Sequence, residues 1–185
     1  MIRPNPWRTF LLLGACAIAG CSERGTSQVD QRSPEGMKQP TGSLGFALIA
    51  HRGDSAAAPE NTLRAIALAF DLGADMVEVD VHVSRDGVPV IIHDDTLEAT
   101  TNGHGRVADH TLAELKTLDA GSWKGPAHVG ERIPTLREAL ELARSHGLLL
   151  IDPKQDGMGE AIARVFRDAR APTSQAVMEI GRAHV

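Results

Sequence analysis

The fold of this chain is decided by one stretch, Met76-Val77-Glu78-Val79-Asp80-Val81-His82-Val83. A two-residue period places Glu78 and Asp80 on one face of a strand and the valines on the other. Two carboxylates on one face repel each other unless a cation lies between them, and hard divalent ions such as Ca²⁺ or Mg²⁺ prefer oxygen ligands. Taken alone, the pattern favours a solvated strand face or ion pairs with Arg or Lys over a metal site.

Strands and helices alternate along the sequence around this stretch. Strands are predicted at residues 44–50, 76–83, 88–92 and 148–151, with another starting at 175–178, and helices at 61–72, 111–118, 135–145 and 158–169. The apolar run at 44–50 indicates a buried parallel strand, and Glu114 three residues after Thr111 predicts a capping box. Alternation indicates an α/β protein with a parallel sheet, either a (β/α)₈ barrel or an open doubly wound sheet. Polar residues at the strand ends favour the barrel, whose sites gather at one face. The turn after the first strand has Gly53 but no glycine-rich phosphate loop, which disfavours a dinucleotide-binding sheet.

The polar residues at strand ends form a candidate site. His51 and His93 follow the first and third predicted strands, and imidazoles with a near-neutral pKa suit acid–base chemistry. Arg52 offers a forked donor for phosphate. Asp152 is a candidate third metal ligand, and Lys154 a second cation for the phosphate. Each residue has an ordinary structural alternative, a satisfied strand-end histidine or an ion pair. No role is assigned to the other histidines, which are His82, His104, His110, His128, His146 and His184.

The first 43 residues carry targeting and tether signals. Basic residues precede an apolar run, residues 10–19, that is shorter than the ~20 residues needed to span a bilayer. The run ends at Ile18-Ala19-Gly20-Cys21, which resembles a bacterial lipobox; a plain secretory signal is the alternative. We therefore expect residues 1–20 to be a lipoprotein signal peptide and 21–43 to be a lipidated Cys21 and flexible tether. The protein would then be anchored to the membrane by lipid, on the extracytoplasmic side of the cell envelope.

Composition narrows the classes of function. The 185 residues include 19 Lys and Arg against 24 Asp and Glu, and 3% are aromatic. Nucleic-acid-binding proteins carry basic patches or stacking aromatics, so nucleic acid is not an expected partner. Cys16 lies in the predicted signal peptide, which leaves Cys21 without a disulfide partner and excludes a thiol catalyst.

Several short blocks carry a more specific signal: His51-Arg52-Gly53, Pro59-Glu60-Asn61-Thr62, Gly73-Ala74-Asp75 running into Met76-Val81, Asp86-Gly87-Val88-Pro89-Val90, His93-Asp94, Thr100-Thr101-Asn102-Gly103 and Ile133-Pro134-Thr135-Leu136. In this order and spacing they resemble the glycerophosphodiester phosphodiesterase family. The resemblance covers about residues 44–154. It implies a TIM-type (β/α)₈ barrel and metal-dependent hydrolysis of a small glycerophosphodiester to an alcohol and glycerol 3-phosphate.

The resemblance also implies a role for individual residues: His51 and His93 as the acid–base pair, Glu78 and Asp80 as ligands of a divalent metal, Arg52 on the phosphate, and Glu60 and Asn61 as site support. In two places this chain departs from the family pattern. The family usually has Glu-x-Lys at the fourth strand, where this chain has Asp152-Pro153-Lys154, and it often has Arg where this chain has Ala99. Since Asp is one methylene shorter than Glu, a metal would lie closer to that strand or bind Asp152 through water.

The barrel is expected to be incomplete. Residues 44–178 correspond to about the first, N-terminal half of a barrel that typically needs ~250 residues. Residues 179–185 abandon the strand pattern, and we expect them to be a non-native tail, with the natural protein continuing past about Met178. Half a barrel leaves sheet edges and apolar faces uncovered, so this chain need not be active by itself. The alternative to an enzyme is a non-catalytic envelope lipoprotein that binds phosphate esters.

Overall fold

A computed structural model of the protein describes residues 47–178. The predicted signal peptide, the predicted lipidation site at Cys21, the predicted tether and the tail at 179–185 lie outside the described residues. Within them, no helix is long and apolar enough to cross a membrane. The strands are β1 (Ile49–Ala50), β2 (Met76–Val83), β3 (Pro89–Ile91), β4 (Leu148–Pro153) and β5 (Ala176–Met178), and the α-helices are α1 (Leu63–Asp71), α2 (Leu112–Leu115), α3 (Leu136–Ala143) and α4 (Gly159–Ala169).

Four strands form a parallel sheet in the order β1-β2-β4-β5. The β2–β4 register places Asp80 directly opposite Asp152. Parallel neighbours must be joined by a crossover, and here each crossover contains a helix. Among the described residues there are therefore three strand–helix units followed by the first strand of a fourth, as expected for part of a (β/α)₈ barrel.

The third predicted strand is present. However, we expected it to belong to another strand–helix unit of the parallel sheet, and this expectation is wrong. Strand β3 pairs antiparallel with β2, with Val83 opposite Pro89. The link is a turn at residues 84–88, in which Gly87 has φ +78° and donates its N–H to the Ser84 carbonyl. Such a short link can only reverse the chain, because a parallel crossover needs a dozen or more residues.

The first strand is shorter and more exposed than predicted. Its described part is Ile49–Ala50, and the side of β1 away from β2 has no strand partner in residues 47–178. Leu48 and Ile49 are accordingly 54% and 45% exposed, although an apolar run of this kind indicated a buried strand. The apolar pattern identified a strand correctly but could not reveal that it lies at an edge of the sheet formed by residues 47–178.

The helices pack on the valine face of β2, as the alternation predicted. Val77, Val79 and Val81 are fully buried. They belong to one apolar cluster with residues from α1, α3 and α4, among them Ile66, Phe70, Leu136, Leu140 and Ile162. Because side chains alternate along a strand, Glu78, Asp80 and His82 point to the opposite face.

A second, smaller core supports the chain between β3 and α3. It contains the following buried residues: Val90, Ile92, Leu97, Val107, Leu115, Ala120 and Ile133. The helix predicted at 111–118 is only α2, four residues long, but its predicted capping box between Thr111 and Glu114 is present. Ile91 faces the main core, whereas Val90 and Ile92 face the smaller one. Both cores therefore hold β3 and the residue after it, which leads directly into His93.

Candidate active site

Three buried carboxylates converge on the polar face of the sheet. Glu78, Asp80 and Asp152 are 7%, 0% and 4% exposed. One oxygen from each lies within 4.8 Å of the others, close enough for all three to hold a single metal ion. Adjacent parallel strands produce this arrangement, since Asp152 lies opposite Asp80 and Glu78 is one step along the same face of β2. The structure thus brings the three predicted metal ligands together.

The ionisation of this cluster is strongly perturbed. Burial, reinforced by the charge of Asp80, raises the pKa of Glu78 from 4.5 to about 7. Burial acts in the same direction on Asp80, but hydrogen bonds from Lys154 and Asn61 outweigh it and hold the pKa of Asp80 below its usual value. Burial would lower the pKa of Lys154, yet Asp152 and Asp80 together raise it. The cluster therefore has an excess of negative charge, which favours the protonated form of Glu78.

Lys154, predicted to contact phosphate, lies against the carboxylates. Its Nζ is 2.5 Å from Asp80 Oδ1 and 2.5 Å from Asp152 Oδ2. Its side chain is only 8% exposed. One ammonium group shared by two carboxylates leaves Glu78 without a full countercharge. The three carboxylates offer only oxygen ligands, and their combined negative charge exceeds the positive charge of Lys154. Both features favour binding of a hard divalent cation.

Arg52 reaches the cluster from the loop after β1. Its backbone N–H donates to Glu78 Oε2 at 2.9 Å. Its Nη1 donates to Glu60 Oε1 at 2.8 Å, and its Nε lies 3.2 Å from Asp80 Oδ2. The residue has φ +59°, a left-handed conformation that is unusual for a side chain of this size. The loop geometry directs both the peptide and the guanidinium of Arg52 at the carboxylates.

Gly53 allows this loop to lie directly on α1. It has φ +79°, and a Cβ atom at this position would lie 2.6 Å from the backbone carbonyl carbon of Ala65. The next residue, Asp54, donates its N–H to the Ala65 carbonyl at 2.9 Å. Only glycine combines this backbone conformation with such a close approach.

The block Pro59-Glu60-Asn61-Thr62 connects the same loop to α1. Asn61 donates from Nδ2 to Asp80 Oδ2 at 2.7 Å and accepts the Asp80 N–H at 3.2 Å. Thr62 caps α1 by accepting the Ala65 N–H. Asn61 has φ +57°, which Asn tolerates better than most residues. Asn61 and Glu60 therefore orient Asp80 and Arg52, respectively, which is the supporting position that the sequence suggested for them.

The two predicted acid–base histidines have different environments. His51 Nε2 lies 3.9 Å from Glu78 Oε2, and its side chain is 70% exposed. His93 Nδ1 lies 2.6 Å from Asp94 Oδ1, and its side chain is 34% exposed. His93 also shares the lining of a small cavity with Glu60 and Asn61. Both imidazoles are thus accessible to a ligand, and both adjoin residues that contact the carboxylate cluster.

Two residues near His93 received no role from the sequence. Asp94 accepts a hydrogen bond from the ring of His93. The signal in the sequence that could have identified Asp94 is its position directly after the histidine. His82 is 3% exposed, and its Nε2 lies 3.0 Å from the His93 carbonyl oxygen. Burial lowers the pKa of His82 below 6.5. Its two-residue spacing from Asp80 could have identified it, because that spacing places it on the same strand face.

Comparison with known proteins identifies the family. The model of the glycerophosphoryl diester phosphodiesterase family matches residues 51–184. YhdW of Bacillus subtilis is 50% identical over 123 residues, which are 64% of this chain and 51% of that protein. A glycerophosphodiester phosphodiesterase of Caldanaerobacter subterraneus is 56% identical over 95 residues, which are 51% of this chain and 39% of that protein. The chain thus spans about half or less of the length of these relatives.

Solved structures agree with this result and confirm the predicted TIM-type barrel, of which the described residues form a part. A glycerophosphodiester phosphodiesterase from Agrobacterium tumefaciens matches with a TM-score of 0.68 and 36% identity, over 72% of this chain and 57% of that one. An Oleispira antarctica phosphodiesterase in complex with the product sn-glycerol-3-phosphate matches with a TM-score of 0.66 and 44% identity, over 72% of this chain and 56% of that one. The chain belongs to the glycerophosphoryl diester phosphodiesterase family.

Proposed function

We propose that this chain is the part of an enzyme that carries the metal ligands and the acid–base histidines for hydrolysis of glycerophosphodiesters to an alcohol and glycerol 3-phosphate. The observation that carries the proposal is the buried trio Glu78, Asp80 and Asp152, with oxygens within 4.8 Å of one another. Membership of the family supports the reaction class. The product named for the Oleispira antarctica structure supports the substrate class.

Glu78, Asp80 and Asp152 would hold one divalent cation, Ca²⁺ or Mg²⁺. Their carboxylate oxygens are the ligands that these ions prefer, and they include none of the nitrogen or sulfur donors that favour zinc. When bound, the cation supplies positive charge that stabilises the anionic phosphate as the reaction proceeds. The raised pKa of Glu78, about 7, supports this assignment, because an added cation would favour its ionised form.

Arg52 and Lys154 would neutralise the phosphodiester. Both now form ion pairs with Asp80, so an anionic ligand that enters the cluster meets two fixed cations. The forked guanidinium of Arg52 suits two phosphate oxygens, and Lys154 acts as a point charge. Fixed donors of this kind stabilise developing charge without having to reorganise during the reaction.

His51 and His93 would exchange protons with the reacting oxygens. One removes the proton from the attacking hydroxyl, and the other protonates the leaving alkoxide. The attacking hydroxyl belongs either to water, which gives glycerol 3-phosphate directly, or to the neighbouring carbon of the glycerol, which gives a cyclic phosphodiester that water then opens to glycerol 3-phosphate. Since an ionised Asp94 can only accept, His93 donates from Nδ1 and keeps Nε2 for proton transfer. Steps of this type contribute roughly 10²–10⁴-fold each.

Hydrolysis of glycerophosphocholine by the full-length gene product tests this assignment. We expect His51→Ala and His93→Ala each to lose ~10²-fold or more in turnover while the circular-dichroism spectrum stays unchanged. His104→Ala is the matched control, since the side chain of His104 is 88% exposed and belongs to the chain between β3 and α3. A wild-type rate in either site variant would refute the acid–base pair. Binding of glycerophosphocholine without hydrolysis by the wild type would favour a non-catalytic lipoprotein.

We also propose that a lipid on Cys21 holds the protein at the extracytoplasmic side of a cell-envelope membrane. The proposal rests on the sequence Ile18-Ala19-Gly20-Cys21. Labelling cells with a fatty-acid analogue should mark the wild type but not Cys21→Ser. Equal labelling of the two proteins would exclude this anchor.

A further inference from the structure

The imidazole of His82 is buried beneath the peptide that carries His93. His82 is 3% exposed, and its Nε2 lies 3.0 Å from the His93 carbonyl oxygen. A carbonyl oxygen can only accept, so Nε2 carries the proton and donates it. The other ring nitrogen, Nδ1, is buried and has no hydrogen-bond partner among the residues that the structure describes. The bond to His93 is therefore the polar contact that accounts for a histidine at this position.

This bond extends the β2–β3 hairpin by one step. Backbone pairing runs from the turn to Ile92, whose N–H donates to the Asp80 carbonyl at 3.0 Å. The next residue, His93, lies beyond the end of β3 at Ile91. There a side-chain donor, the ring N–H of His82, and not a backbone N–H binds the His93 carbonyl to β2. Because His82 and Asp80 lie on one face of the same strand, the bond ties the position of His93 to that of the carboxylate cluster.

We propose that His82 is a positioning residue, which fixes the His93 peptide and thereby directs the His93 ring at the reacting oxygens. The inference rests on the proposed function, in which His93 transfers a proton. Asp94 orients the ring from the side-chain end through a contact of 2.6 Å, and His82 holds the main-chain end. Two restraints on one imidazole are needed, because a bond at Nδ1 alone leaves the backbone free to shift the whole ring.

The steady-state kinetics of three variants of the full-length gene product test this role. His82→Leu keeps an apolar side chain of similar size but removes the donor, and we expect kcat to fall about 10- to 100-fold with KM unchanged, since small misplacement of a catalytic group has effects of this size. His82→Gln places an amide N–H near the position of Nε2 and should recover most of the lost kcat. The matched control is His110→Leu, which removes an equivalent 3.0 Å bond from Nε2 to the His104 carbonyl and should keep wild-type kcat.

The outcomes separate this inference from the proposed function. If the wild type hydrolyses glycerophosphocholine and His82→Leu keeps its kcat, or if the Gln and Leu variants lose kcat equally, the positioning role is wrong. If His82→Leu does not fold, as judged by circular dichroism, His82→Asn replaces it, because its shorter amide does not reach the carbonyl.

A second readout does not depend on hydrolysis. ¹⁵N NMR should show one His93 tautomer, protonated at Nδ1, in the wild type and in His82→Gln, and a mixture of tautomers in His82→Leu. Identical His93 spectra in all three proteins would overturn the inference even if the wild type proved inactive on every diester tested.

Discussion

Raising the pH should destabilise the metal-free protein through Glu78. Burial beside Asp80 raises the pKa of this carboxyl group from 4.5 to about 7, so between these values the folded protein holds a proton that the unfolded chain has released. The stabilising contribution is complete below pH 4.5 and is lost as the pH rises through about 7. The loss amounts to about 3 kcal/mol, because one pKa unit corresponds to 1.36 kcal/mol. That is a large fraction of the ~5–15 kcal/mol that stabilises a typical domain.

Urea unfolding of the full-length gene product in chelator, at pH 5 and at pH 8, measures this effect. Other groups also titrate, so the informative quantity is the difference between wild type and Glu78→Gln, which cannot ionise. We expect the free energy of unfolding of the wild type to fall by about 2–3 kcal/mol more than that of Glu78→Gln over this interval, since part of the loss has already occurred at pH 5. Glu141→Gln, at an exposed position on α3, controls for the loss of one negative charge and should behave like the wild type. The reasoning fails if wild type and Glu78→Gln change in parallel.

The same proton links pH to metal binding. A cation in the cluster requires Glu78 to be ionised, so binding below pH 7 should release up to about one proton, and the affinity for Ca²⁺ or Mg²⁺ should rise with pH. Calorimetry in two buffers with different ionisation enthalpies counts the released protons. A pH-independent affinity with no proton release would mean that Glu78 is not a ligand.

Two further predictions concern the loops that hold the cluster. Asn61→Ala removes both hydrogen bonds to Asp80 and leaves a buried carboxylate less satisfied, so urea unfolding should show a loss of roughly 1–3 kcal/mol; an unchanged midpoint would contradict the supporting role. Gly53→Ala places a Cβ atom 2.6 Å from the Ala65 carbonyl carbon and should lower the melting temperature far more than Gly73→Ala, which shares a positive φ but has nothing within 4 Å. Equal melting temperatures of the two variants would show that the close approach to α1 is not needed.

The sequence predicted best the elements whose local pattern coincides with their packing. Strand β2 spans Met76–Val83, as predicted, because alternation of valine and polar residues is itself the consequence of one face packing on helices. The capping box at Thr111 was predictable for the same reason, since all its partners lie within one turn.

The two failures in the fold have different physical origins. Periodicity identified Pro89–Ile91 as a strand but contains nothing about strand direction, and only the short link after Val83 indicated a hairpin. The exposure of Ile49 depends on whether another strand pairs with β1, which no local pattern records.

The candidate site divides in the same way. The motifs selected Glu78 and Asp80, and the position at the end of a predicted strand selected Asp152. The parallel register brings the three together. The ion pairs of Lys154 with two of these carboxylates and the bond from His82 to His93 depend on distances between strands, so a one-dimensional pattern could not provide them.

One measurement tests the central claim most directly: ³¹P NMR of glycerophosphocholine incubated with the full-length gene product, with chelator and after Ca²⁺ or Mg²⁺ is restored. The account predicts that the diester signal is replaced by that of glycerol 3-phosphate with metal present, that chelator stops the conversion, and that Asp80→Asn does not regain activity when metal is added. Conversion that continues at the same rate in chelator, or that persists in Asp80→Asn, would contradict a metal held by the buried carboxylates.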